Sequence, residues 1–340
     1  MKIIMLGNSS VGKTTYMASL YGIMQQKIDG FSLKAANNSD HNEWLNLAQA
    51  IANNNYPPST NQKAEYDFFL QYQGNNIFAF RWFDYRGRAI REKQDSSEAK
   101  FLVENLKEAD GIIMFCDSEA LTNQNRKANE IRRMTVLINQ VLQSLERPMY
   151  ISIILSKVDK ISRYDEKLVS PLSSLIDIIN ANQWTTAGII PVACGHSFMN
   201  VSSPFLFTLY GGVYVQAYIL QYLAQEKYQE AATSWEQSKG VGGFLRGIKA
   251  TWDGKTTDKE LATQKYAEAQ AYAEKLEFIK EPVEALYKYI ERIPMIEPGK
   301  NLRHYVQGCE NLRIYQQLAM STTQKVRSSG GSGDPFDLFF

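Results

Sequence analysis

Lys2-Ile3-Ile4-Met5-Leu6-Gly7-Asn8-Ser9-Ser10-Val11-Gly12-Lys13-Thr14 is the stretch on which the reading of the whole chain turns. Lys2 to Leu6 is apolar over a strand's length, the next eight residues carry the spacing GxxxxGK[ST], and residues 13–25 follow with helical character. Strand, glycine loop and helix in that order are the context in which this spacing holds phosphate. Gly7 and Gly12 allow backbone conformations and close approaches that a side chain would block. The backbone N–H groups of Asn8, Ser9, Ser10, Val11, Thr14 and Thr15, together with the helix N-terminus, then point at phosphate oxygens. Lys13 brings a positive charge to the β- and γ-phosphates, and the Thr14 hydroxyl is placed to hold Mg²⁺.

Outward from this loop, the first half of the chain alternates between the two periods. Strands are expected over 2–6, 66–73, 76–83, 111–116, 149–155 and 188–193, and helices over 13–25, 96–107, 125–145 and 166–179, the last capped near Asp165. Asn75-Asn76, between two aromatic-rich runs, reads as a hairpin turn. One antiparallel pair within a β-α-β series predicts an α/β domain: a three-layer sandwich with a mostly parallel sheet.

Two further motifs sit at strand ends. Phe80-Arg81-Trp82-Phe83 closes on Asp84-Tyr85-Arg86-Gly87. An Asp ending an apolar strand can hold Mg²⁺ through water, and Gly87 can offer its N–H to a γ-phosphate; loss of that phosphate would release the loop, which is a switch. Ile151-Ser152-Ile153-Ile154-Leu155 leads into Ser156-Lys157-Val158-Asp159. The Asp159 carboxylate can accept from both N1–H and the 2-amino group of guanine. Adenine has neither donor on that edge, so an unpaired carboxylate would penalise it. The Lys157 stem can cover the base plane.

The order GxxxxGK[ST], DxxG, [ST]KxD resembles the Ras-like, TRAFAC-class P-loop GTPases, and the DYRG form with an enlarged helical C-terminal part is most similar to the bacterial double-GTPase-like families. The resemblance covers about residues 1–200. It implies GTP/GDP and Mg²⁺ as ligands, with Ser156, Lys157 and Asp159 at the base. Val192-Ala193-Cys194-Gly195 matches the loop whose backbone touches guanine O6, which puts Ala193 and Cys194 at the nucleotide. It also implies a Thr closing over Mg²⁺ and the γ-phosphate. Tyr56-Pro57-Pro58-Ser59-Thr60 occupies that position in order, with Thr60 the choice and Ser59 the runner-up. Where many such proteins carry a water-orienting Gln, this chain has Arg88, so unaided hydrolysis should be slow. Arg86 or Arg88 is either a charge donor to the γ-phosphate, in cis or towards a partner in a homodimer, or a solvated loop residue. The expected catalytic set is thus Lys13, Thr60, Gly87 and Arg88, and the expected metal set Thr14, Thr60 and Asp84.

Composition fits this reading. The 340 residues are 44% hydrophobic and 21% charged, as in soluble globular proteins. Thirty-seven basic and thirty-six acidic residues leave a charge of +1, which gives no electrostatic case for nucleic acid as a partner. Cys116, Cys194 and Cys309, and His41, His196 and His304, are too scattered for a disulfide framework or a zinc site, and suit a reducing cytoplasm. No secretory leader is expected, because the apolar run at Ile3–Leu6 stops at a glycine turn.

The chain divides by pattern into a P-loop GTPase domain over 1–200, a helical extension over 201–325, and a flexible linker with a docking tail over 326–340. Long helices are expected over 205–235 and 258–293, the second kinked or restarted by Pro282, and a further one over 301–319. The glycine-rich stretch 238–255 reads as a loop or lid. Residues 178–225 contain no Asp, Glu, Lys or Arg. Within them, Tyr210, Tyr214, Tyr218 and Tyr222 form a stripe that reads as a core-facing side packed on the second long helix. A partner surface or a membrane-docking helix is the alternative. Phe336, Phe339 and Phe340 on a Gly/Ser tether suit a groove on an effector or adaptor protein. The expected function is a Mg²⁺-dependent GTP-binding switch with slow hydrolysis. The alternatives are a hydrolysis-deficient GTP-binding adaptor and a membrane-remodelling GTPase.

Overall fold

The computed structural model describes residues 1–58, 64–85, 90, 96–162, 166–194, 198–239, 243, 245–246, 249–251, 253 and 255–293. In chain order these form β1 (Lys2–Leu6), α1 (Lys13–Met24), β2 (Phe31–Ala35), α2 (Asn38–Ala52), β3 (Ala64–Tyr72), β4 (Asn75–Asp84), α3 (Ser97–Glu108), β5 (Gly111–Asp117), α4 (Ser118–Thr122) and α5 (Arg126–Asn129). There follow α6 (Ile131–Gln143), β6 (Met149–Ser156), α7 (Glu166–Val169), α8 (Ser173–Ala181), β7 (Thr185–Pro191), β8 (Ala193–Cys194), β9 (Phe198–Met199), α9 (Ser203–Ser238) and α10 (Asp258–Glu291).

Seven strands make one mixed sheet in the order β2-β3-β4-β1-β5-β6-β7. The strands from β4 to β7 in that order are parallel to one another, and β2/β3 and β3/β4 are antiparallel. The expected α/β architecture with a mostly parallel sheet and a helical C-terminal region is therefore the one observed. From β1 the chain builds first to one side and then, at β5, to the other. The strand order reverses between β1 and β5, and the carboxyl ends of those strands open the crevice where such sheets bind ligands.

Alternation within the strands sorts their side chains to two faces. Ile4, Leu6, Met114, Ile151, Ile153 and Ile189 pack with Leu102 and Leu106 of α3, Ile138 and Val141 of α6, and Leu175 and Ile179 of α8. The other face meets the start of α9, where Trp82 stacks on Phe205 at a centroid distance of 5.3 Å and an interplanar angle of 7°. The buried Ser152 hydroxyl bonds Pro204 O and Thr208 Oγ1, each at 2.7 Å. Gly111 is required there, since a Cβ would lie 2.3 Å from Thr208 Cγ2. This burial accounts for much of the charge-free run: its strand β7 and the first turns of α9 are interior surface.

The hairpin turn is Gln73-Gly74, not Asn75-Asn76: both turn residues are left-handed, with φ of 50° and 92°, as a two-residue type I′ turn demands. The single helix expected over 125–145 is two, because Glu130 adopts φ 49° and breaks it between α5 and α6. The segment 166–179 is likewise divided by a 3₁₀ turn at Ser170–Leu172, which contains Pro171. Pro282 does not restart the second long helix, which is continuous through it. Helix α2 and strand β2 are additional to the expected elements. Helix α2 buries only Trp44 and Ile51 and is recognisable mainly by its cap, Asn37 Oδ1 accepting from Asp40 N at 2.8 Å. In the stretch read as a loop, the described residues Gly243, Leu245, Arg246 and 249–251 are helical.

The described residues fall into two compact units. One comprises Met1–Val213 with the described part of Glu284–Asn311, and the other is Tyr214–Val283. Within the second unit, Tyr228 meets Tyr266 edge to face at 5.6 Å, and Glu230 accepts from Lys227 at 2.8 Å and pairs with Lys265 at 3.3 Å. The tyrosine stripe on α9 is buried only at Tyr210; Tyr214, Tyr218 and Tyr222 are half-buried beside the buried line of Gln216, Leu220 and Leu223. Among the described residues, no helix is long and apolar enough to cross a membrane. The expected helix over 301–319, the linker and the Phe-rich tail lie outside the described residues.

Candidate functional site

The loop between β1 and α1 has the backbone its glycines permit. Gly12 is left-handed at φ 99° and stands as the N-cap of α1, and Ser10 is left-handed at φ 65°. A Cβ on Gly7 would lie 2.9 Å from Phe115 Cβ and 3.0 Å from Val11 Cγ2, so the loop can approach β5 only without a side chain there. Helix α1 has no acidic residue in its first turn, so nothing opposes an anion at its N-terminus. Lys13 is buried, and its ammonium donates to Gly7 O at 2.9 Å and Asn8 O at 3.3 Å. Burial pulls its pKa down, against the opposing pull of Asp84.

Asp84 ends β4 beside Met5 of β1, on the carboxyl edge of the sheet. Its Oδ1 lies 4.0 Å from Lys13 Nζ, and that oxygen is buried with no hydrogen-bond partner among the described residues. Burial pushes the carboxyl up to about 6, with Lys13 acting in the opposite direction. An orphaned acidic oxygen beside the loop lysine fits a cation held with phosphate oxygens and water. Among the described residues, no group of three or more His, Cys, Asp or Glu side chains is placed to hold a metal by itself.

The base end is pinned to the phosphate end. Ser156 ends β6, and its hydroxyl is within 2.7 Å of Val11 O and 3.2 Å of Cys116 O. Lys157 is left-handed at φ 58°, and its ammonium donates to Ser10 O at 2.9 Å and Asp117 Oδ2 at 2.5 Å. The backbone then turns through a 3₁₀ turn at Val158–Lys160, which leaves Asp159 exposed. Val158 N to Val192 O at 3.4 Å and Val192 N to Leu155 O at 2.8 Å tie this turn to the chain entering Ala193–Cys194. Burial pushes the Cys194 thiol up to about 12.

A cavity of about 490 Å³ opens between these elements. Of the residues expected from the sequence, it brings together Ser9, Ser10, Gly12, Lys13, Thr14 and Thr15 from the loop with Ser156, Lys157, Asp159 and Cys194. Gly7, Asn8, Val11, Ala193 and Asp84 are not among its lining residues. Tyr56, Pro57 and Pro58 close one side; Phe115 of β5, edge-on to Tyr16 at 5.3 Å, forms part of the wall. Thr60, Ser59, Arg86, Gly87, Arg88 and Gly195 lie outside the described residues.

Sequence reasoning missed two residues that support the site, Asp117 and Asn129, and the side-chain role of Asn8. Asn8 Nδ2 donates to Ala128 O at 2.7 Å and Lys127 O at 3.3 Å. Asn129, wholly buried, accepts from Asp117 N at 2.6 Å and donates to Asp117 O at 3.0 Å. Asp117 was visible as an acid closing an apolar strand, just as Asp84 does; nothing local marked Asn129.

Chemically, the arrangement offers anion-binding amides and an ammonium at one end, an orphaned carboxylate beside them, and an exposed carboxylate at the other end across a cavity of nucleotide size. The family model described as Double-GTPase 2 matches residues 2–193 of the chain, more than half its length. No curated protein matches it.

Proposed function

The chain belongs to the Double-GTPase 2 family, and on that premise we propose that it binds GTP with Mg²⁺, hydrolyses it slowly, and passes the state of the nucleotide to a partner protein as a switch. The observation that carries this reading is the pinning of the Ser156–Asp159 turn to the phosphate loop. The Ser156–Val11 and Lys157–Ser10 bonds fix the distance between an anion site and a guanine-type acceptor. In this reading the loop amides and Lys13 bind the β- and γ-phosphates, and Asp159 accepts from the guanine N1–H and 2-amino groups. The Ser156 hydroxyl holds the phosphate loop through Val11 O at the base end of the cavity. Ala193 and Cys194 present backbone to the base edge.

Thr14 and Asp84 are the residues that would hold Mg²⁺, joined by Thr60. When bound, the ion neutralises charge that develops on the phosphate oxygens during transfer. Lys13 stabilises the same charge from the loop side. Gly87 would report the γ-phosphate through its N–H, and Arg88 follows it in the sequence where many such proteins carry a water-orienting Gln, so the expected turnover is slow. The partner is an effector or adaptor reached through the helical region and the Phe-rich tail, or a second copy of the chain.

Nucleotide released from the heat-denatured, freshly purified protein and identified by chromatography tests this. GDP supports binding with turnover, GTP supports binding without it, and ADP or ATP would overturn the guanine assignment.

A further inference from the structure

We propose that Asn129, which lies outside the cavity lining, is a positioning residue for the bound nucleotide. This rests on the guanine-nucleotide reading of the cavity and assigns part of its affinity to the short segment 127–129.

The geometry is a closed ring. Strand β1 pairs with β5 only as far as Met114, so the last residue of β5, Asp117, lies beyond the reach of that neighbour. The side-chain amide of Asn129 acts as a substitute strand, taking the N–H of Asp117 at 2.6 Å and its carbonyl at 3.0 Å. With its backbone held, Asp117 divides its carboxylate. Oδ1 caps α4 through Ala120 N at 3.1 Å, and Oδ2 receives Lys157 Nζ at 2.5 Å. Lys157 returns to the phosphate loop at Ser10 O. From the other side, Asn8 of the loop donates to the carbonyls of Ala128 and Lys127, next to Asn129 in the chain. Asn8 and Asn129 are 2% and 0% exposed, and the two bonds between Asn129 and Asp117 are made away from competing water. The segment 127–129 thus grips the phosphate end through Asn8 and the base end through Asp117 and Lys157. A buried amide used this way fixes geometry, because each broken bond leaves a buried backbone group unpaired.

Release of a fluorescent GDP from the full chain tests the assignment. Asn129→Ala is expected to release it about tenfold faster than wild type, the scale of losing one or two buried hydrogen bonds. In a Lys157→Ala background, where the ring is already open at the base end, the same substitution should add less than about twofold. Ile138→Ala, in the core on α6, lowers the melting temperature without touching the ring and should leave release within about twofold. Should Asn129→Ala not fold, Asn8→Ala opens the ring from the phosphate side and must also speed release. Wild-type release rates in Asn129→Ala, or in Asn8→Ala where that variant stands in for it, would overturn the inference. So would an equal acceleration with and without Lys157, or by Ile138→Ala. If wild type itself fails to bind fluorescent GDP, it is the guanine reading beneath that falls; intact binding with unchanged release removes only the role of Asn129.

Discussion

The Ser156 hydroxyl lies 2.7 Å from the carbonyl oxygen of Val11, joining the end of β6 to the phosphate loop across 145 positions of sequence. Ser156 stands first in the SKxD motif, and its short side chain reaches the loop because β6 delivers it there directly. Removing the hydroxyl leaves Val11 O and Cys116 O without this donor in a buried setting. Ser156→Ala is therefore expected to cost about 1–2 kcal/mol of nucleotide affinity, roughly five- to thirtyfold in Kd. Ser156→Thr, which keeps the hydroxyl, should recover most of it. Calorimetric titration with GDP checks both.

Lys13 is held at Gly7 O and Asn8 O, so its charge is already at the loop before any phosphate arrives. Lys13→Met keeps most of the buried stem and removes the charge. Loss of a charge-assisted contact predicts at least a hundredfold weaker GTP binding, about 3 kcal/mol or more. The loss should be larger for GTP than for GMP, which has no β- or γ-phosphate for Lys13 to meet. Equal losses for the two nucleotides would remove Lys13 from the phosphate site.

The orphaned Asp84 oxygen predicts a metal-dependent grip. Chelation of Mg²⁺ should accelerate GDP release from the wild type by an order of magnitude or more. Asp84→Asn should release quickly in both the presence and absence of Mg²⁺, because the acceptor that distinguishes the two conditions is gone. A stopped-flow trace that responds to chelator equally in both proteins would place the ion elsewhere.

Cys194 supplies a pH test of the base-side loop. Burial disfavours the thiolate, so its pKa rises, to about 12 against an ordinary value of 9.0. At pH 9 an ordinary thiol is about half ionised, whereas Cys194 is ionised in about one molecule in a thousand. Alkylation of the folded protein by iodoacetamide between pH 7 and 9 should then be slower at Cys194 than at a free thiol by a factor of hundreds, with the reaction becoming fast only towards pH 12. Unfolding in denaturant should restore ordinary reactivity at pH 9. Peptide mass spectrometry reads both, and rapid native labelling at pH 8 would show the loop to be open.

The β1–loop–α1 unit was legible because everything that defines it is local: the four apolar residues Ile3–Leu6, two glycines at fixed offsets, and a helix start. The ends of β4 and β6 were legible for a related reason, each being an acid or Ser-Lys pair abutting a buried strand. Elements lacking a strong local period were not. Strand β2 is five residues at a sheet edge, and α2 shows so narrow an apolar stripe that its pattern hardly departs from a loop. The hairpin was misplaced by two residues because Asn-Asn resembles a turn in composition, whereas Gln73-Gly74 is the pair that tolerates positive φ here. Asn129 was invisible in principle: a neutral side chain whose meaning lies in a strand end twelve residues earlier, brought to it by a helix break at Glu130.

Recognition of guanine through Asp159 is decided by equilibrium titration with GTP, ITP and ATP in Mg²⁺, on wild type and Asp159→Ala. ITP lacks only the 2-amino group. Binding should be tightest for GTP, about ten- to a hundredfold weaker for ITP, and weaker still for ATP, with these differences shrinking to a few-fold in Asp159→Ala. Equal affinity for GTP and ATP in the wild type, or discrimination that survives in Asp159→Ala, would contradict it.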